Sequence, residues 1–243
     1  MISERNVAEK FSPIWKEVLP MLTPNFMKVF NESHVVKVDS KKVRHSNSYQ
    51  ADIISEIAFL SSKNVFNNEI SLDDLLKGSA VLSKNIELAN MKAAEYHSDV
   101  IPLSNLTKAE VNELRQLIGN LLRFIKSRNG VEVEFSPSLK GFGFLKSCMA
   151  DLSVDNALFE IKTVNRKFRS KDLKQLFIYL ALHQAMGENK WLKAGLYNPR
   201  MNVYCEFNVD GMIKNLSGGK SSKMALRELL ESLTRDVEIE KHF

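Results

Sequence analysis

Apolar positions recur at three- and four-residue spacings over Ala8 to Lys16 and over Ala51 to Leu60, which predicts two amphipathic helices. Between them His34 to Val38 reads as a short strand, followed by the polar, basic stretch Asp39 to Tyr49. Ser71 opens a further helix, with Asp73 and Asp74 in a first turn where the helix dipole favours acid. Helical spacing resumes from Lys84 to Tyr96, so the first hundred or so residues read as mostly helical.

The second half changes period. Thr107 with Glu110 three positions later forms a capping-box signature for a long helix, Lys108 to Arg128, which Asn129-Gly130 ends. Val131 to Phe135 alternates like a strand, and Ser136 to Gly143 is a turn. Phe144 to Leu152 and Leu158 to Val164 read as two strands joined by the hairpin turn Ser153-Val154-Asp155-Asn156. Ser170 to Met186 is a helix, apolar on one face, stopped by Gly187. Leu192 to Tyr197 and Asn202 to Val209 are strands around Asn198-Pro199-Arg200, and Ser221 to Arg235 closes the chain as a helix. The expectation is an α/β fold, a mixed sheet flanked by helices, over residues 106–243, with a mostly helical N-terminal region over residues 1–105.

Composition narrows the class. The 243 residues are 44% hydrophobic and 26% charged, enough for a sizeable core. With 10 Gly, 6 Pro and 2 Cys, collagen-like, disordered and disulfide-scaffold readings fail. The longest apolar run, Leu176 to Leu182, is far short of the roughly 20 residues that cross a bilayer. The N-terminal stretch lacks the apolar centre of a signal peptide, so a cytoplasmic protein without a membrane partner is expected. Against 29 Asp+Glu stand 34 Lys+Arg, a net charge of +5 that allows a nucleic-acid partner without demanding one.

The chemistry concentrates in CMADLSVDNALFEIKTV, residues 148 to 164. Glu160 and Lys162 share one face of their strand, and a hairpin puts Asp151 beside Glu160. Neighbouring carboxylates repel unless a cation sits between them, and hard oxygen ligands suit Mg²⁺ or Mn²⁺. Such an ion polarises a phosphate oxygen and lowers the pKa of a bound water, while Lys162 orients that water or stabilises developing charge.

An acid on one strand, E-x-K on the next and a helix directly after resemble the PD-(D/E)xK nuclease superfamily, which has the restriction-endonuclease-like fold. The resemblance covers about 90 to 100 residues, with Ala150 standing where the named pattern has Pro. Gln175 and Tyr179, four apart on the following helix, resemble the Q-x-x-x-Y pair of the RecB-type branch, in which this helix borders the active site. The resemblance implies Asp151, Glu160 and the Ile161 carbonyl as metal ligands, Lys162 as catalytic lysine, and Gln175 with Tyr179 as steering residues. It further implies a carboxylate from a preceding helix, for which Glu113 is the first choice, with Glu110 behind it and Glu56 as rival. Cys148 and Cys205 are too few for the iron–sulfur cluster that some members carry.

Arg166, Lys167, Arg169, Lys171 and Lys174 fall between the E-x-K strand and the next helix, where they would hold phosphates. Lys37, Lys41, Lys42 and Arg44 form a second basic stretch, and Lys220 with Lys223 a third. SGGKSS at 217–222 lacks the earlier Gly of a phosphate loop, since position 214 is Lys214, and the five His have no metal-ligand spacing. The expected function is Mg²⁺- or Mn²⁺-dependent hydrolysis of DNA phosphodiesters, in restriction, antiviral defence or repair. The sequence does not exclude RNA. A homodimer or a targeting partner protein is part of this expectation. The rival is a catalytically inactive or partner-activated nucleic-acid-binding subunit on the same fold.

Overall fold

The computed structural model describes residues 1–38, 42–47, 49–96 and 101–241. The Ser3 hydroxyl accepts the Asn6 amide and caps α1 (Glu4–Lys10). The single helix expected over Ala8 to Lys16 is two, because Pro13 in the first turn of α2 (Ser12–Val18) would collide with the Glu9 carbonyl in a continuous helix. Thr23 caps α3 (Pro24–Ser33), a helix the hydrophobic spacing did not signal although Thr-Pro is a start signal. Then come β1 (Val36–Lys37), α4 (Ala51–Phe66), α5 (Leu72–Leu76), α6 (Ala80–Tyr96) and α7 (Lys108–Ser127). The Thr107–Glu110 capping box forms at the start of α7, and Asn129 takes φ 52° past its end.

From there β2 (Val133–Phe135), β3 (Ser138–Leu139), β4 (Cys148–Met149), β5 (Leu152–Val154) and β6 (Ala157–Ile161) lead into α8 (Ser170–Ala185). The chain finishes with β7 (Lys193–Asn198), β8 (Val203–Asn208), α9 (Val209–Leu216) and α10 (Ser222–Lys241). The strand expected over Phe144 to Leu152 is interrupted. Ser136, at φ 59°, donates its amide to the Asp151 carbonyl, and Ala150 donates to Pro137, so β3 and β4 pair with each other outside the main sheet.

The main sheet has the order β1-β8-β7-β6-β5-β2, with β6 and β7 parallel and every other pair antiparallel. Helix α8 makes the crossover between the parallel strands, as such a connection requires. The fold is therefore a mixed α/β sheet flanked by helices. Leu158, Ala194, Leu196 and Cys205 face α8, in one core with α1, α2, α9 and α10. Phe159, Leu152 and Tyr197 face Leu121, Phe124 and Ile125 of α7. Residues 1–37 and 43–96 divide between these sides: α1–α3 join the α8 core, α4–α6 pack on α7, and β1 extends the sheet. Helix α8 is buried almost all round, from Asp172 to His183, rather than on one face. No helix among the described residues is long and apolar enough to cross a membrane.

Candidate active site

Strands β5 and β6 join through Asp155-Asn156, where Asp155 adopts φ 49°, a backbone that a short polar side chain tolerates. The Asp155 Oδ1 accepts from the Val131 and Glu132 amides at 3.0 and 2.9 Å and fixes the turn. Leu152 pairs with Phe159 in this register, so Asp151 comes level with Glu160 on the face toward α8. The Ile161 amide donates to Asp151 Oδ2 at 2.7 Å, while the Ile161 side chain turns to the α7 face.

A chain of contacts then runs from strand to helix. Lys162 Nζ lies 2.5 Å from Glu160 Oε1 and donates to Gln175 Oε1 at 2.7 Å. Gln175 Nε2 donates to the Tyr179 hydroxyl at 2.8 Å. Five of the residues singled out in the sequence, Asp151, Glu160, Lys162, Gln175 and Tyr179, thus meet at one place. Glu160 is only 2% exposed, and its second oxygen, Oε2, takes no donor among the described residues and has the Asp151 carboxyl beside it.

Burial, with the Asp151 charge beside it, pushes the Glu160 carboxyl up to about 8, against the pull of Lys162. Burial works to lower the Lys162 ammonium, yet the Glu160 and Asp151 carboxylates outweigh it and the net shift is upward. Glu160 therefore holds its proton more tightly than an ordinary carboxyl. Burial and the charges of Glu160, Asp151 and Glu4 raise the Tyr179 hydroxyl, which stays neutral.

Glu4 is the carboxylate that sequence reading passed over. It stands in the first turn of α1, which packs along α8. Ile2 donates to the Phe144 carbonyl at 2.8 Å and accepts from Lys146 at 3.0 Å, which fastens this turn beside β4. The Glu4 charge reaches both Tyr179 and Cys148, two groups that also sense Glu160; burial is the main reason the Cys148 thiol is pushed up to about 12. No local signal marks Glu4, because its place depends on docking against a helix about 170 residues later in the chain.

Whether a divalent cation suits these residues is a question of donors. Among the described residues no group of three His, Cys, Asp or Glu side chains is arranged as a metal site. The donor set is smaller and of the right kind: two adjacent carboxylates, one with a buried oxygen that takes no donor among the described residues. A hard cation there would satisfy Glu160 Oε2 and replace the proton, so the residues fit Mg²⁺ or Mn²⁺.

Several expected contributors lie elsewhere. Glu113, on α7, is on the opposite side of the sheet from Glu160. It is fully engaged, accepting from Arg200 Nη2 at 2.6 Å and from the Ser46 amide and hydroxyl at 2.7 and 2.5 Å. Glu113 therefore does not join Asp151 and Glu160. Glu110 is consumed by the Thr107 cap, and Glu56 pairs with Lys92 at 2.8 Å. Of the basic residues, Arg166 is bidentate to the buried Asp172 at 2.6 and 2.9 Å, and Lys171 pairs with Glu9 at 2.7 Å. Lys174 lies over the Trp15 ring, 5.4 Å from its centroid. Lys167 and Arg169 remain exposed.

Two predictions follow from this geometry. Glu113 and Arg200 are 2% and 0% exposed, so Arg200→Leu alone strands a buried carboxylate and costs about 3–5 kcal/mol in urea unfolding. Glu113→Leu combined with Arg200→Leu recovers most of that loss. The second concerns pH. The Glu160 carboxyl is raised from 4.5 to about 8, so the folded protein holds a proton that the unfolded chain releases. Its contribution to stability is complete below pH 4.5 and is lost as pH rises toward about 8. Glu160→Gln removes this loss, so in EDTA the melting temperature of the variant rises relative to the parent as pH increases from about 4 toward about 8. Differential scanning calorimetry across pH checks this.

Compared with protein-family models, curated proteins and solved structures, the chain matches none.

Proposed function

We propose that this chain is a divalent-cation-dependent nuclease of the PD-(D/E)xK kind, hydrolysing DNA phosphodiester bonds at Asp151, Glu160 and Lys162. The observation that carries this reading is Glu160 Oε2, buried beside Asp151 and without a donor among the described residues, with the Lys162 ammonium 2.5 Å from the other oxygen. Bound Mg²⁺ or Mn²⁺ would supply Lewis acidity to a phosphate oxygen and an acidified water.

The chain's own residues supply position and charge. Asp151 is aimed by the Ile161 amide, which leaves Oδ1 for another ligand. Lys162 keeps Gln175 Oε1 as an acceptor when Glu160 turns away from it, so the ammonium stays in place to hold a water or the charge developing on phosphorus. Tyr179 accepts from Gln175 and keeps the amide oriented with its oxygen toward Lys162. In this reading Glu4 is the carboxylate at the border of the site, the place that sequence reasoning had given to Glu113. DNA rather than RNA is part of the proposal because the resembled branch mostly acts on DNA. The setting proposed is cytoplasmic restriction, antiviral defence or repair.

One observation favours a second reading, a nuclease subunit switched on by a partner protein. The Glu160 and Lys162 side chains are only 3% and 13% exposed, so a phosphodiester reaches them only after the cover shifts.

The test is incubation of the purified protein with linear and circular DNA, single- and double-stranded, in Mg²⁺, Mn²⁺ or EDTA. Metal-dependent cutting is expected, with Lys162→Ala reducing it by roughly 10²-fold or more. Tyr179→Phe, which keeps the ring and loses the hydroxyl, is expected to reduce it by a smaller factor. Cutting unchanged in Lys162→Ala places the reaction elsewhere. Bound but uncut DNA favours the partner-activated subunit.

A further inference from the structure

The cations of this protein are distributed unevenly between the two ends of the sheet. At the end where β7 begins, Lys190 pairs with Glu132, Lys193 and Arg128 both pair with Glu206, and Lys126 alone of these four has no ion-pair partner among the described residues. At the other end, where β6 finishes in Glu160 and Ile161 and Lys162 follows, five cations are exposed: Lys37, Lys42, Arg44, Lys167 and Arg169. None of the five has an ion-pair partner among the described residues.

Their backbone is fixed on one support. Lys37 pairs with Val203 at the start of β8, and Val38 donates to the Asn202 carbonyl at 2.9 Å. Val43, between Lys42 and Arg44, donates to the Arg200 carbonyl at 2.8 Å. Asn198 reaches the other way, its Nδ2 donating to the Val164 carbonyl at 2.7 Å, three residues before Lys167. The turn 198–202 therefore carries Lys42 and Arg44 on one side and the loop with Lys167 and Arg169 on the other. Arg200 is locked beneath it by Glu113, which explains why an α7 carboxylate is spent away from the candidate active site. From β6 across β7 and β8 to β1 is three strand spacings, roughly 14 Å at about 4.8 Å each. That is the length of roughly four phosphates along one strand of a duplex, at 3.4 Å per nucleotide.

We propose that Lys37, Lys42 and Arg44, with Lys167 and Arg169, form a phosphate track along this end of the sheet, holding the nucleic-acid strand that flanks the bond at Glu160. The proposal rests on the nuclease reading for its direction, since it places the substrate backbone across β7 and β8 toward β1. It assigns Lys37, Lys42 and Arg44 to substrate binding and separates them from Arg166, Lys171 and Lys174, whose charges are spent within the fold. Lys41, in the same basic stretch, lies outside the described residues.

The test measures binding apart from cutting. Fluorescence anisotropy with a labelled oligonucleotide of about 20 nucleotides, single-stranded and duplex, is followed in EDTA over a range of KCl concentrations. The triple variant Lys37→Ala, Lys42→Ala, Arg44→Ala is expected to bind about 10-fold or more weaker, with the slope of log K against log salt reduced by about 2–3. The triple variant Lys126→Ala, Lys190→Ala, Lys193→Ala removes equal charge at the far end and is expected to bind like the parent. Equal loss in both variants, no change in the first, or no binding by the parent protein overturns the track. The nuclease reading is tested separately, by metal-dependent cutting: DNA bound through these residues and left uncut favours the partner-activated subunit and leaves the track standing.

Discussion

Two carboxylates held side by side out of water repel each other and lose hydration, and a fold keeps such a pair only where something offsets the cost. The Asp151–Glu160 pair is placed by the register of β5 on β6 and is sealed by α8 and α1. Lys162 satisfies one oxygen of Glu160, and the other takes no donor among the described residues. The rest of the arrangement follows from this deficit. Lys162 needs a second acceptor, which Gln175 provides, and Gln175 needs a donor-acceptor neighbour, which Tyr179 provides. Two residues one turn apart on α8 are thereby committed to holding one ammonium in place.

The opposite side of the sheet repeats the problem with a different answer. Glu113 is as buried as Glu160, but Arg200 and Ser46 satisfy both of its oxygens, so it has no capacity left for another ligand. Burial of an acid is thus no guide to function by itself. The two acids differ in whether the described residues satisfy both carboxylate oxygens, although Arg200 Nε and Nη1 beside Glu113 also lack partners among them. Where they do, the acid ties the turn 198–202 to α7 and to the segment through Ser46. Where they do not, the acid is left with an open valence at the end of a parallel strand, beside a lysine.

Much of the site was legible in the sequence because its parts are local. Asp151, Glu160 and Lys162 sit on one hairpin, and Gln175 and Tyr179 share one face of the next helix, so period-2 and period-3.6 geometry brings them together. The α7 capping box and the Asn129 terminus were readable for the same reason. The misses are long-range. Glu4 arrives through α1 docking on α8, and the interruption at Ala150-Asp151 follows from bonds between Ser136, Pro137 and the residues that open β5. The Glu113–Arg200 pair joins residues 87 positions apart, a partnership that no spacing rule announces. Three of the five loop cations were spent on Asp172, Glu9 and Trp15, again partners that only the folded chain supplies.

The central claim is that the Asp151–Glu160 pair is built to receive a cation in place of its proton. The most direct measurement is the anomalous-difference density of crystals soaked in Mn²⁺. The account predicts a peak between Asp151 and Glu160 Oε2, with Lys162 released from Glu160 and still bonded to Gln175. Crystals that take up Mn²⁺ elsewhere, with no peak at this pair and Glu160 still held by Lys162, would contradict it.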